Sequence, residues 1–179
     1  NVRAGTWVQT PSFISATGGT ITEDGNYKIH TFTASGPFSV TAAVGKPAVD
    51  SAADYLIVAG GGSGGNGNGN SPGGGGAGGV RASATTYTNA GPSSPRTAGV
   101  AAVTLTTQDY SIVVGAGDTG QAGPAPSPGT RRGTDSSGLG LTAGGGGAGS
   151  YHGGGGGCGN SGGSGGGAAG GGLNKSGGQ

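Results

Sequence analysis

The chain has 179 residues, of which 50 are glycine, while charged residues make up 8% and aromatic residues 5%. A composition so poor in large side chains argues against a conventional large apolar core, and a formal net charge of +1 gives no electrostatic footing for nucleic acid or an anionic membrane. The apolar residues are mostly Ala and Val, Met is absent and Glu and Lys are few, so essentially no helix is expected.

In chain order, residues 1–59 read as a β-rich part and residues 60–179 as a glycine-rich part, with returning strands near 80–88 and 100–114 that make the two one continuous unit. Trp7 and Val8 near the start suit an additional strand, either in the chain's own sheet or added to the edge of a neighbouring copy. Turn signals at Gly18-Gly19 and Asp24-Gly25-Asn26 bracket short strands, among them residues 26–33, which are rich in β-branched and aromatic types. Phe38, Val40, Ala42 and Val44 alternate with smaller or polar residues, which gives one buried face at period two and suggests antiparallel hairpins. An internal echo follows: Asp54-Tyr55-Leu56-Ile57-Val58-Ala59-Gly60 is matched by Asp109-Tyr110-Ser111-Ile112-Val113-Val114-Gly115. Both are strands running into glycine, expected to leave the same edge of one sheet, with a third strand over 100–105.

Glycine-rich excursions occupy residues 60–79, 115–133 and 144–179. By composition alone such stretches read as linkers or disorder. Ordering them costs about 1–2 kcal/mol per residue, with glycine at the expensive end, and only backbone hydrogen bonding and close approach can compensate. A collagen helix requires Gly at every third position, which Ser150-Tyr151-His152 and Ala168-Ala169 break. What remains is a bundle of threefold extended polyglycine helices, close in path to polyproline II and bonded sideways to one another.

Residues 21–33, then Phe38-Ser39-Val40, residues 54–62, residues 110–117 and the glycines of 144–147 together resemble the glycine-rich domain of phage tail-fibre and bacterial surface adhesin proteins. The resemblance covers roughly residues 15–170, and the Pro-rich stretch 123–129 departs from it. It implies an all-β fold in which an antiparallel, sandwich-like β-sheet base carries packed polyglycine-II-type helices, in fibres and host-recognition tips, with no catalytic constellation.

Other chemistries are poorly served. Residues 115–120 and 60–65 match the spacing of a dinucleotide-binding fingerprint, but the first runs on into three prolines before residue 129, where the motif needs a helix. Cys158 stands alone, so it makes no disulfide within the chain and joins no Cys cluster. His152 lies six residues before it without further ligands, and His30 is expected on the solvent face of a strand. The carboxylates are scattered, without the EF-hand spacing of a calcium loop, and Asp54 and Asp109 suit turn caps. The expectation is therefore no enzyme, no cofactor and no metal.

No apolar run is long enough to cross a bilayer and no leader pattern opens the chain, which reads as soluble, either as a processed form or as a piece of a longer protein. Candidate surface contacts are Tyr87, Pro124, Pro126, Arg131, Arg132, Tyr151 and His152, on loops expected to touch a host glycan or protein. Trp7 and Val8 are the candidate contacts between copies, and Asn174 opens an N-glycosylation pattern. Two readings follow: a module of an extracellular phage tail fibre, or a self-polymerising subunit of a bacterial surface filament that exchanges its N-terminal strand. Both make copies of the chain its main partner.

Overall fold

A computed structural model describes residues 14–25, 27–42, 52–65, 72–83, 101–120, 131–150 and 162–168. All regular structure among the described residues is β. The strands are β1 (Ser15–Thr17), β2 (Thr20–Asp24), β3 (Tyr27–Thr31), β4 (Gly36–Ala42), β5 (Ala52–Ala53), β6 (Leu56–Val58), β7 (Val80–Ala82), β8 (Val103–Thr104), β9 (Asp109–Ile112), β10 (Ser136–Gly138) and β11 (Leu141–Ala143). They form one three-stranded sheet in the order β1-β4-β9 and four two-stranded sheets, β2-β3, β5-β8, β6-β7 and β10-β11, all antiparallel.

The apolar core lies against the three-stranded sheet. Phe38 and Val40 point to the same face, as their spacing of two dictates, and bury with Ala16 and Leu105. Ile14, Phe32, Ala53, Tyr110, Ile112 and Leu139 pack around them. Phe38 is the hub: Phe32 and Tyr110 approach it at ring-centroid separations of 6.2 and 6.1 Å, and His30 meets it edge-on at 5.0 Å. His30 is thus not on a solvent face, contrary to expectation. The β2–β3 hairpin folds that side of the strand inward, where Nδ1 is 2.9 Å from the Gly18 carbonyl oxygen. Burial pushes the Tyr110 phenol up, but hydrogen bonds with the Thr106 side chain, the Thr106 backbone and the Gln108 side chain outweigh it and leave the group below its ordinary 10.0.

Gly18 and Gly19 turn the chain from β1 into β2 with φ of 112° and 64°. A Cβ on Gly18 would run into the Pro37 carbonyl oxygen, so this corner needs glycine on both conformational and steric grounds. The β10–β11 hairpin closes through Leu139-Gly140, both at positive φ (55° and 76°). Leucine is an unusual choice there, since two-residue hairpin loops favour Asn, Asp or Gly. Its side chain packs on the core cluster, which offsets the backbone cost of about 1–3 kcal/mol.

The echoed segments do not share a sheet, contrary to expectation. β6 pairs with β7, whereas β9 pairs with β4. The cause is local: the excursion leaving β6 doubles back on itself and returns as β7, so Val58 faces Val80. β9 continues past Ile112 to Val113, which exchanges backbone hydrogen bonds of 2.8 and 2.9 Å with Ser137. Leu105, 4% exposed, is the largest aliphatic side chain of the buried cluster. Leu105→Ala should therefore cost about 2–5 kcal/mol in chemical denaturation, as truncations of buried leucines do.

Candidate structural site: the glycine bundle and its side-chain seam

Six segments, residues 59–65, 73–79, 115–118, 131–134, 144–150 and 162–167, most of them rich in glycine, bond to one another through their backbones. The N–H groups of Ala59, Gly62 and Gly65 donate to the carbonyls of Gly79, Gly76 and Gly73. Those of Gly73, Gly76 and Gly79 donate in turn to Ser150, Gly147 and Gly144. The same neighbour is thus met at every third residue, whereas a β ladder meets it at every second. The opposed order of donors and acceptors makes segment 73–79 antiparallel to both of these neighbours.

The intervening residues bond elsewhere. Gly60 and Ser63 donate to Thr134 and Arg131 while accepting from Gly146 and Gly149, and Gly61 accepts from Asp118. Segment 162–167 closes another side: Ser164 and Gly167 donate to Ala77 and Gly74 and accept from Gly147 and Ser150. Bond lengths across the bundle run from 2.7 to 3.3 Å, the ordinary N–H···O range. Each net bond contributes about 0.5–1.5 kcal/mol, so only the collective lattice offsets the entropy of ordering so many glycines.

Glycine is required where segments meet. A Cβ at Gly60, Gly62, Gly65, Gly78 or Gly145 would fall onto the backbone carbonyl of Ala116, Gly147, Ser150, Ala59 or Gly133 respectively. At Gly61 and Gly64 the nearest atom would be 3.7 Å away, and at Gly74 nothing lies within 4 Å. The bundle therefore has inner faces that exclude any side chain and an outer face that does not.

Three consecutive residues, Thr134, Asp135 and Ser136, join this bundle to the sheets. Thr134 Oγ1 accepts from Ala116 N (2.7 Å), and Asp135 Oδ1 accepts from Gly145 N (2.8 Å). Ser136 Oγ accepts from Gly115 N (2.9 Å) and donates to the Val58 carbonyl (2.8 Å), so one hydroxyl ties the ends of both echoed segments together. Two further clasps secure the return of β7. Ser83 Oγ donates to Asp54 Oδ1 (2.6 Å), and Arg81 Nε donates to the Thr142 carbonyl (2.9 Å). Nothing in the local pattern of Thr134, Asp135 and Ser136 marks partners far along the chain, so their junction role was not legible from the sequence.

Three amides of the fingerprint-like run 115–120 are committed to protein partners. Gly115 N and Ala116 N go to the Ser136 and Thr134 hydroxyls, and Asp118 N to the Gly61 carbonyl. They are not free to cradle a phosphate. Of the residues singled out as surface contacts, Arg131 and Arg132 are described. Arg132 is exposed, but Arg131 is only 6% exposed and corrects the expectation for it: its carbonyl accepts from Ser63 N, which draws the residue into the bundle. Tyr87, Pro124, Pro126, Tyr151, His152, Trp7, Val8 and Asn174 lie outside the described residues. Among the described residues no group of three or more His, Cys, Asp or Glu could hold a metal ion, and no helix is long and apolar enough to cross a membrane.

A protein-family model described as a glycine-rich domain matches residues 32–179. No curated protein and no solved structure matches the chain.

Proposed function

The chain belongs to the glycine-rich domain family, and we propose that it serves as a non-catalytic structural and adhesive module of an extracellular fibre, foremost a phage tail fibre, with its glycine segments packed as polyglycine-II-type helices. The observation that carries this reading is the three-residue recurrence of hydrogen bonds among segments 59–65, 73–79 and 144–150. A body held by backbone bonds in several directions is stiff and nearly devoid of reactive side chains, which suits a load-bearing scaffold and not a catalyst. Its loops are then the parts that vary and touch a receptor, with exposed Arg132 at the root of one of them.

A second reading, a self-polymerising subunit of a bacterial surface filament, is favoured by the two-stranded sheets β2–β3, β5–β8 and β6–β7, whose outer edges suit an added strand such as that around Trp7 and Val8. Gold-labelled antibody against the chain, applied to producing material in the electron microscope, tests the proposal. Decoration of tail fibres or cell-surface filaments is expected, with label along filament lengths selecting the second reading. Label confined to the cell interior contradicts both.

A further inference from the structure

We propose that Asp24-Gly25, at the tip of the β2–β3 hairpin, is a site of spontaneous backbone modification, where aspartate converts to isoaspartate and the hairpin loosens. Of the chain's six aspartates only Asp24 is followed by glycine; the others precede Ser51, Tyr55, Tyr110, Thr119 and Ser136. The distinction matters because the reaction is an attack by the next residue's amide nitrogen, which a side chain on that residue obstructs. Glycine has none. Asp24 and Gly25 are both exposed, and nothing lies within 4 Å of where a Cβ on Gly25 would stand, so no neighbouring group crowds the approach.

The chemistry needs only water. Gly25 N bonds to Asp24 Cγ, and the amide proton leaves with the carboxyl hydroxyl as water, closing a five-membered succinimide. Water then adds at one of the two ring carbonyls and the C–N bond there breaks. Opening at Cγ restores aspartate; opening at the main-chain carbonyl gives isoaspartate, in which the chain runs through Cβ and Cγ. No oxidant or reductant takes part. Two other carboxylates are held by hydrogen bonds that restrain them from such an approach: Asp54 Oδ1 accepts from the Ser83 hydroxyl, and Asp135 Oδ1 from Gly145 N.

The position of the site gives the reaction a structural consequence. Asp24 pairs with Tyr27 to close the hairpin, and the register runs on through Glu23 and Lys28 and Thr22 and Ile29 to Ile21 and His30. Isoaspartate inserts one methylene into the β2 arm and turns the main-chain carbonyl of the closing pair into a carboxylate. One carboxylate replaces another, so the charge is unchanged and the effect is geometric. Loop length sets register in so short a turn, and the added atom breaks the closing pair. The disturbance is carried along β3 to His30, whose Nδ1 meets the Gly18 carbonyl and whose ring meets Phe38.

Prolonged incubation of the full chain in neutral buffer, followed by digestion and electron-transfer fragmentation, tests the proposal, since this fragmentation distinguishes isoaspartate from aspartate. Isoaspartate should accumulate at position 24, without change of mass, and not at Asp118 or Asp135. Asp24→Glu keeps the charge at an exposed position but would have to close a less favourable six-membered ring, so it should form no such product there. Asn66-Gly67 and Asn68-Gly69 are open to the same ring closure but gain mass through deamidation, and they are common to both proteins. Incubated wild type should therefore melt below incubated Asp24→Glu by about 2–4 °C, the shift that losing about one hydrogen bond gives in a domain of this size. Unmodified Asp24, or equal conversion at Asp118 and Asp135, overturns the site. Conversion at Asp24 with the two incubated proteins melting together overturns its coupling to the hairpin.

Discussion

Gly145→Ala should destabilise the protein by about 3 kcal/mol or more, a cost at the upper end of overpacking, although it adds a single methyl group. That methyl would fall on the Gly133 carbonyl and within 3.0 Å of Thr134 N, both backbone atoms that no rotamer change can move aside. Relief would require segments 144–150 and 131–134 to separate, which lengthens the bonds from Gly145 N to Asp135 and from Gly133 N to Gly146. The matched control is Gly74→Ala, where nothing lies within 4 Å of the new atom. There the reduced freedom of the unfolded chain should dominate and stabilise by about 0.4–1 kcal/mol. The same chemical change is thus expected to have opposite signs at two glycines of one bundle, read as the shift of the urea midpoint. Equal effects would mean that the segments do not pack as described.

Ser136→Ala should cost about 2–3 kcal/mol, more than a typical serine truncation. Ser136 is 3% exposed, and its hydroxyl satisfies two backbone groups at once, Gly115 N and the Val58 carbonyl. Removing it strands a donor and an acceptor where water has little access, and each such orphan carries a penalty of about 1–3 kcal/mol. Ser136→Thr, which retains the hydroxyl, should recover much of the loss. A Ser136→Ala variant that melts with the wild type would show that the junction between bundle and sheets is held by something else.

Some of this architecture was legible in the sequence. The alternation at Phe38 and Val40 marked the buried face, and Asp24-Gly25 marked the turn between β2 and β3, because both depend on local spacing. The echoed segments 54–60 and 109–115 were recognisable as strands entering glycine, but not their sheet assignments. Those depend on excursion 60–79 doubling back to bring Val80 to Val58. The hairpin β10–β11 went unseen because Ser-Ser-Gly and Leu-Thr-Ala have weak strand character and its turn uses Leu139, whose reason to be there is a contact with the core.

The structural site divides in the same way. Composition shows that glycine backbones must bond to one another but cannot show which glycines are indispensable. Gly61 and Gly62 are identical neighbours in the sequence, and only the position of the Gly146-Gly147 backbone makes the second intolerant of a side chain. Ser136 was invisible for a related reason: its partner Val58 lies 78 residues away. Arg131 read as a loop residue beside Arg132, yet the demand of Ser63 N for a carbonyl places it inside.

Amide hydrogen exchange of the intact chain, resolved residue by residue, tests the backbone lattice most directly. The amides of Gly62, Gly76 and Gly147, each bonded to a different neighbouring segment, should exchange as slowly as that of Val40 in the central strand. Exchange of those three at the rate of an unstructured glycine peptide, with Val40 still protected, would contradict the lattice and reduce the glycine segments to tethers.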